Sequence, residues 1–233
     1  MRKPSRFSPL RRNPVQTPTI LFIIFLHKRS RMEFRCYRTF LLFFASAMFV
    51  ACSDSFTDPR DEQSYDIVQI GSDVWMAENL NFDIDGSVCP EGDKRNCSKF
   101  GRLYTWEMAR SFCPEGWRLP NSADFGRLIA NVGGAEVAGE ALKSKRGWYK
   151  KKNGSDAFGF KALPAGFRKA GGDFDGIGGY AHFWTASSAP LERAEFMMLE
   201  FSKKAAVMDA AGRGELRSVR CIREQSNIKV KSI

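Results

Sequence analysis

Histidine is almost missing from this chain: His27 and His182 are the only two in 233 residues. That scarcity excludes a metal centre built from several histidines and an H-E-x-x-H site. It also leaves His182 as the sole base a serine triad could draw on beyond the N-terminal region. A C-x2-C knuckle is absent, which removes the usual zinc frameworks. No glycine-rich stretch runs into Gly-Lys-Ser/Thr, so no phosphate loop is spelled out. Long apolar runs are missing as well. The longest, Phe40 to Ala51, has twelve residues and is interrupted by Ser46, too short for a helical membrane span. A second run, Ile20 to Leu26, has seven. No tandem repeat is visible.

What is present near the N-terminus has the order of an export signal. Arg35 and Arg38 precede the run at Phe40, and Phe49-Val50-Ala51-Cys52 closes it with small residues and a cysteine. This ending resembles a bacterial lipobox, which implies acylation of Cys52 as the mature N-terminus, with Phe49 where a Leu is usual. Residues 1–51 are therefore expected to be a leader and lipoprotein signal peptide. Met32 would serve as a conventional start, so residues 1–31 read as a mis-assigned start or an extension. Ten of the 36 basic residues and one of the 26 acidic residues precede Cys52, which leaves 26 against 25 beyond it. The overall charge of +10 thus belongs to the leader and gives no argument for nucleic-acid binding.

Residues 52–64 are polar and acidic and read as a flexible tether. The expected domain spans 65–224, with a short tail at 225–233. It is organised around Cys113-Pro-Glu-Gly-Trp-Arg-Leu-Pro-Asn-Ser-Ala-Asp124. Pro114 and Gly116 predict a turn, and Trp117 and Leu119 flanking Arg118 predict a short strand. Pro120 stops that strand and Asn121 caps a helix, with Asp124 in its first turn. Phe125, Leu128, Ile129 and Val132 follow at helical spacing, and Gly133-Gly134 is expected to end the helix. A second helix is predicted over Leu103–Arg110. Residues 83–99 read as a loop, 158–166 as a core strand, and short strands recur from Phe183 to Ile222. The expectation is an α+β fold with two helices and short antiparallel strands.

Beyond the lipid site at Cys52, four cysteines remain, an even number that suits an exported, disulfide-stapled domain. Three pairings are possible. Cys89 with Cys97 would close a short polar loop, and Cys113 with Cys221 would tie the central unit to the last strand; this combination is the expectation.

Six ordered motifs carry a resemblance: Trp75-Met-Ala-Glu-Asn-Leu80, Gly101-Arg-Leu-Tyr-Thr-Trp106, Cys113 to Pro120, Phe158-Gly-Phe-Lys-Ala-Leu-Pro-Ala-Gly166, Phe183-Trp184 and Ser218-Val-Arg-Cys221. Over about Tyr65 to Glu224 the chain resembles the Fibrobacter succinogenes major paralogous domain, a family of exported bacterial proteins, often lipoproteins. The resemblance implies no activity. Its Gly-Trp-x-Leu-Pro step is also similar to C-type lectin-like and formylglycine-generating-enzyme-like domains, which implies a C-type lectin-like fold with a long loop region and a terminal disulfide.

Candidate contact residues are Trp148, Asp173, Asp175 and His182. Trp148 and Tyr149 lie among Lys143, Lys145, Arg146 and Lys150 to Lys152, a pattern able to grip an acidic glycan. Asp173 and Asp175 are spaced like the first two ligands of a calcium loop, but Ile177 and Trp184 stand where further ligands belong. The plainer readings are a buried Trp148 in a solvated loop, a solvated turn at Asp173–Asp175, and a strand-edge role for His182. Glu78, Glu107, Glu115 and Asp173 are carboxylates available for glycoside hydrolysis, without a spacing that singles out two. The expected function is a non-catalytic binding or adhesion module, lipid-anchored on the cell envelope at the outer membrane or cell surface. Its expected partner is a polysaccharide or an envelope protein, with no nucleic acid and no cofactor, calcium being the alternative. The rival functions are a secreted carboxylate-pair hydrolase and a structural envelope protein.

Overall fold

A computed structural model describes residues 54–224. The expected leader, the lipid site Cys52 and the tail 225–233 lie outside the described residues.

The fold rests on two five-stranded sheets. The first is antiparallel, in the order β1 (Ser55–Thr57), β2 (Ser64–Ile70), β3 (Asp73–Met76), β12 (Ile222–Arg223) and β5 (Trp117–Arg118). The second runs β10 (Ala206–Gly212), β9 (Arg193–Glu200), β8 (Tyr180–Ala189), β11 (Arg217–Ser218) and β4 (Leu103–Tyr104). Its strands are antiparallel except that β11 lies parallel to β8. A two-stranded ribbon pairs β6 (Phe167–Arg168) with β7 (Phe174–Asp175). Among the described residues four α-helices accompany them: α1 (Lys94–Phe100), α2 (Trp106–Ser111), α3 (Ser122–Asn131) and α4 (Ala135–Leu142). None of the helices among the described residues is long and apolar enough to cross a membrane.

This corrects the expected C-type lectin-like fold. The domain is α+β and disulfide-bonded, but four helices and three open sheets replace the two-helix lectin topology. Two helices escaped the pattern for local reasons. α1 carries three charged residues in seven and shows the core only Cys97 and Phe100; its start is set by Asp93, whose carboxylate accepts from the Arg95 amide at 2.9 Å. α4 reads Ala-Glu-Val-Ala-Gly-Glu-Ala-Leu, in which small residues hide the apolar stripe. The smallness lets α4 seat closely, since a Cβ at Gly139 would lie 2.3 Å from the Ala205 carbonyl oxygen. Gly133-Gly134 follows the end of α3, as expected, and Gly134 also stands at the start of α4.

Three further boundaries move. The expected tether is folded from Asp54 onward, because Phe56 pairs with Tyr65 and packs its ring 5.2 Å from Trp117. Asp58 in the same segment is fully buried and bonded to Arg60. Leu103–Tyr104 is strand β4, and α2 begins only after Thr105, whose hydroxyl accepts from the Met108 amide. Residues 158–166 form no strand: Gly159 and Lys161 take positive φ, although Phe160, Ala162 and Ala165 are buried.

Side chains of β8 alternate between two apolar clusters. Ala181 and Phe183 join Trp75, Phe125, Leu128 and Phe160 on one side, whereas Trp184 joins Tyr104, Trp106 and Phe196 on the other. Asn121 caps α3 in a capping box with Asp124, which is buried and clamped by Arg118 at 2.6 Å and Arg127 at 2.6 Å. Burial by itself would raise the Asp124 carboxyl, but Arg118, the Asn121 amide and Arg127 together hold it below the usual carboxylate range. Cys89 is joined to Cys97 and Cys113 to Cys221. The second bond sits where the chain crosses from β11 in one sheet to β12 in the other.

Candidate functional site

The site is built on β8, β9, β10 and β11. His182 lies on β8, the central strand of its sheet, opposite Met198 of β9. Residue alternation turns it to the same side as Trp184, away from Phe183. Arg217 enters from β11, which pairs with β8 on one side and β4 on the other. Together they underlie an open groove of about 430 Å³ that is also lined by Phe167 and Phe196, with Lys169, Arg193, Asp209 and Glu215 among its charged groups.

Arg217 is only 3% exposed. Its guanidinium lies 4.0 Å from the Phe196 ring centre, 4.9 Å from Phe167 and 5.0 Å from Trp184. Nη2 donates to the Glu215 carboxylate at 2.7 Å, and Nη1 donates to His182 Nδ1. Burial pulls the Arg217 pKa down to about 10, opposed by the nearby Glu215 carboxylate. A guanidinium has no acceptor, so Nδ1 must be the bare nitrogen of His182 and the ring hydrogen sits on Nε2. Burial, and then the Arg217 charge, push the His182 pKa well below the ordinary value, so the ring is neutral. It packs 4.8 Å from Phe167 and 4.8 Å from Phe196. Two buried donors here, His182 Nε2 and Arg217 Nε, have no hydrogen-bond partner among the described residues.

The other sequence candidates fall elsewhere. Trp148 is not a surface platform. It is 4% exposed, its indole donates to Ser144 at 3.1 Å, and its ring joins the first apolar cluster. Lys143 of the expected basic loop is buried too, its ammonium donating to the carbonyls of Glu200, Phe201 and Lys203 at 2.8–3.3 Å. Tyr149, beside it, is half exposed. His182 is a buried member of a central strand and not a strand-edge residue. Asp175 faces Lys169 at 3.0 Å in the β6–β7 ribbon, and Asp173 is exposed in the turn between those strands. Among the described residues no group of three or more His, Cys, Asp and Glu is placed to hold a metal ion. Glu78, Glu107, Glu115 and Asp173 stand on separate elements; Glu78 accepts from the Asp66 amide and Glu107 pairs with Arg110 at 3.5 Å. Sequence reasoning missed Arg217. The available signal was an arginine between Leu216 and Ser218 in an expected strand, next to Ser218-Val-Arg-Cys221.

Comparison with family models matches residues 68–223 to the Fibrobacter succinogenes major domain. The chain belongs to that family. No curated protein and no solved structure matches it.

The residues that carry the family resemblance build the scaffold of this major domain. Trp75, Met76 and Leu80 are fully buried. Asn79 donates to the Phe100 carbonyl at 2.7 Å and accepts from Arg220 at 2.7 Å. Arg220, entirely buried, also donates to the Phe160 carbonyl, and burial draws its pKa down to about 9. Gly101 has φ 74°, and a Cβ there would meet the Leu80 oxygen at 2.8 Å. Trp106 and Trp184 donate to the carbonyls of Thr185 and Tyr104 at 2.7 and 2.8 Å, locking α2 and β4 to β8. Of the groove residues, none belongs to these motifs: Phe167, Lys169, His182, Arg193, Asp209, Glu215 and Arg217 all lie outside them.

Proposed function

We propose that this chain is an exported, lipid-anchored envelope protein whose major domain is a non-catalytic binding module, taking a polysaccharide in the groove over His182 and Arg217. The observation that carries the reading is the groove itself: a concavity lined by aromatic rings and charged groups, with two unpartnered buried N–H donors beneath it. Aromatic side chains and converging polar groups are the ordinary composition of a sugar-binding groove. Anchoring is supported by the basic n-region, the apolar run and the cysteine at position 52. Against hydrolysis stands the engagement of Glu215 by Arg217 at 2.7 Å, since a carboxylate pair needs both members directed at the glycosidic bond.

The test uses the full chain, extracted from membranes in detergent and mixed with insoluble cellulose, xylan, chitin and peptidoglycan. Saturable retention by at least one polymer, without release of soluble sugar, is the expected result. Retention by none overturns the polysaccharide reading, and release of soluble sugar overturns the non-catalytic one. Anchoring is checked by labelled fatty-acid incorporation, which should vanish in Cys52→Ala.

A further inference from the structure

Apart from the groove, we infer that the basic loop around Tyr149 is a second site, which stacks a sugar of an acidic polysaccharide on the Tyr149 ring and meets its anions with Lys145, Arg146, Lys150, Lys151 and Lys152. The seating of the ring is the first observation. A Cβ added at Gly178 would come 2.4 Å from Tyr149 Cε1 and 2.9 Å from Cζ, and one at Gly179 would come 3.5 Å from Cδ2. Two successive glycines thus reach opposite edges of the ring, which lies across their bare backbone. The Tyr149 amide donates to the Gly178 carbonyl at 2.8 Å, and Phe201 meets the ring edge to face with centres 6.0 Å apart. One face is seated while the residue as a whole is 52% exposed, so the other face is turned to solvent. A pyranose presents an apolar C–H face that suits a fixed, open aromatic ring.

Charge is the second observation. From Ala141 to Ser155 the chain carries six cations and no carboxylate. Lys143 turns inward, and the other five are exposed. Among the described residues none of the five forms an ion pair or donates a side-chain hydrogen bond. The carboxylates that bracket the loop are engaged elsewhere: Glu140 pairs with Lys204 at 2.8 Å, and Asp156 accepts from the Lys161 amide at 2.8 Å. The loop also holds its shape. Ser144 Oγ donates to the Arg146 carbonyl at 2.8 Å and accepts from the buried Trp148 indole at 3.1 Å. Asn153 Oδ1 accepts from the Trp148 amide at 3.2 Å, and the Lys152 amide donates to the Tyr149 carbonyl at 2.9 Å. Lys150 and Lys151 stand at φ 52° and 55°, where glycine or asparagine would sit with less strain. Two lysines are thus kept in a turn that favours other residues, directly after the open ring. Little ordering remains to be done when a ligand arrives. A repeating anion matches five spaced cations, and the ring between Arg146 and Lys150 favours a sugar polymer over an acidic peptide. None of these residues lines the groove over His182 and Arg217.

The probes are polygalacturonate, the same polymer with its carboxylates methyl-esterified, and polyglutamate, which carries the charge without the sugar. The full chain in detergent is run against each by affinity electrophoresis. Binding of polygalacturonate about tenfold tighter than of either other probe is expected, weakening as salt rises. The variant Lys150→Asn/Lys151→Asn suits the left-handed turn, so it should keep the native circular dichroism while losing about fivefold or more in affinity for the acid. Tyr149→Ala should lose about tenfold, and Tyr149→Phe should bind as the native chain does. If Tyr149→Ala fails to fold, the lysine variant and the choice among probes still decide. Equal binding of the acid and its ester would overturn the inference. Polyglutamate bound as tightly as polygalacturonate, or full binding by a folded Tyr149→Ala, would make the loop a general polyanion surface and overturn the sugar site. Acid binding untouched by the lysine variant would place the site elsewhere and overturn it as well. Retention by neutral polymers alone refutes this inference and spares the groove.

Discussion

Replacing the two disulfides one at a time should give unequal losses of stability. Cys89 and Cys97 are separated by 8 residues, Cys113 and Cys221 by 108. The closure entropy removed from the unfolded chain scales with the logarithm of loop length, giving about 2.5 kcal/mol for the short loop and about 4.8 kcal/mol for the long one. The native state widens the gap. Cys221 is fully buried beside Val219 and Ile222 at the crossing between the two sheets, so Ala there leaves a void in the core, while Cys89 and Cys97 are each 8% exposed at the domain edge. Cys113→Ala/Cys221→Ala should therefore cost about 2 kcal/mol more than Cys89→Ala/Cys97→Ala. The assay is urea unfolding followed by tryptophan fluorescence, since all five tryptophans are buried in the domain. A short-loop variant as destabilised as the long-loop variant, or more so, would refute the reasoning.

Two other outcomes follow from buried charge. The native state refuses the proton that His182 accepts when unfolded, so stability should fall as pH drops below about 6.5, by about 1.4 kcal/mol per unit until the depressed folded value is reached; His182→Gln should lack this slope between about pH 6.5 and pH 5 in urea titrations. Asp124 acts in the same direction over a lower pH range, its stabilisation being lost only as pH falls below the ordinary carboxylate value. Asp124→Ala strips Arg118, Arg127 and the Asn121 amide of their shared acceptor, and a loss of about 2–4 kcal/mol in thermal or urea unfolding is expected.

Wherever a local pattern had one physical meaning, it was legible. Asn121 with Asp124 can only cap a helix start, and Trp117-Arg118 between a turn and Pro120 can only be a short strand. The six motifs marked the scaffold because they hold the large apolar residues that a core requires, along with the Asn79, Gly101 and Arg220 positions around which segments distant in sequence converge. Patterns with two meanings misled. Trp148 among lysines reads as a surface platform or, more plainly, as a buried ring in a solvated loop; the ring is buried as the plainer reading has it, but the Lys143 ammonium turns inward to three carbonyls instead of being solvated. Phe56 in an acidic segment gave too weak a period to announce β1.

The amino-acid sequence by itself determined the family, the near balance of charge beyond residue 52 and the scarcity of histidine, since each is carried by residue identity or near-neighbour spacing. The tertiary structure alone decided the number of helices, the division into two sheets and the site. His182 and Arg217 are 35 residues apart in the chain, and β11 lies parallel to β8 only through a long connection. Spacing along the chain carries no information about such a meeting, because it is set by which strand edge remains open for β11 once the β8–β9 hairpin and β4 are in place.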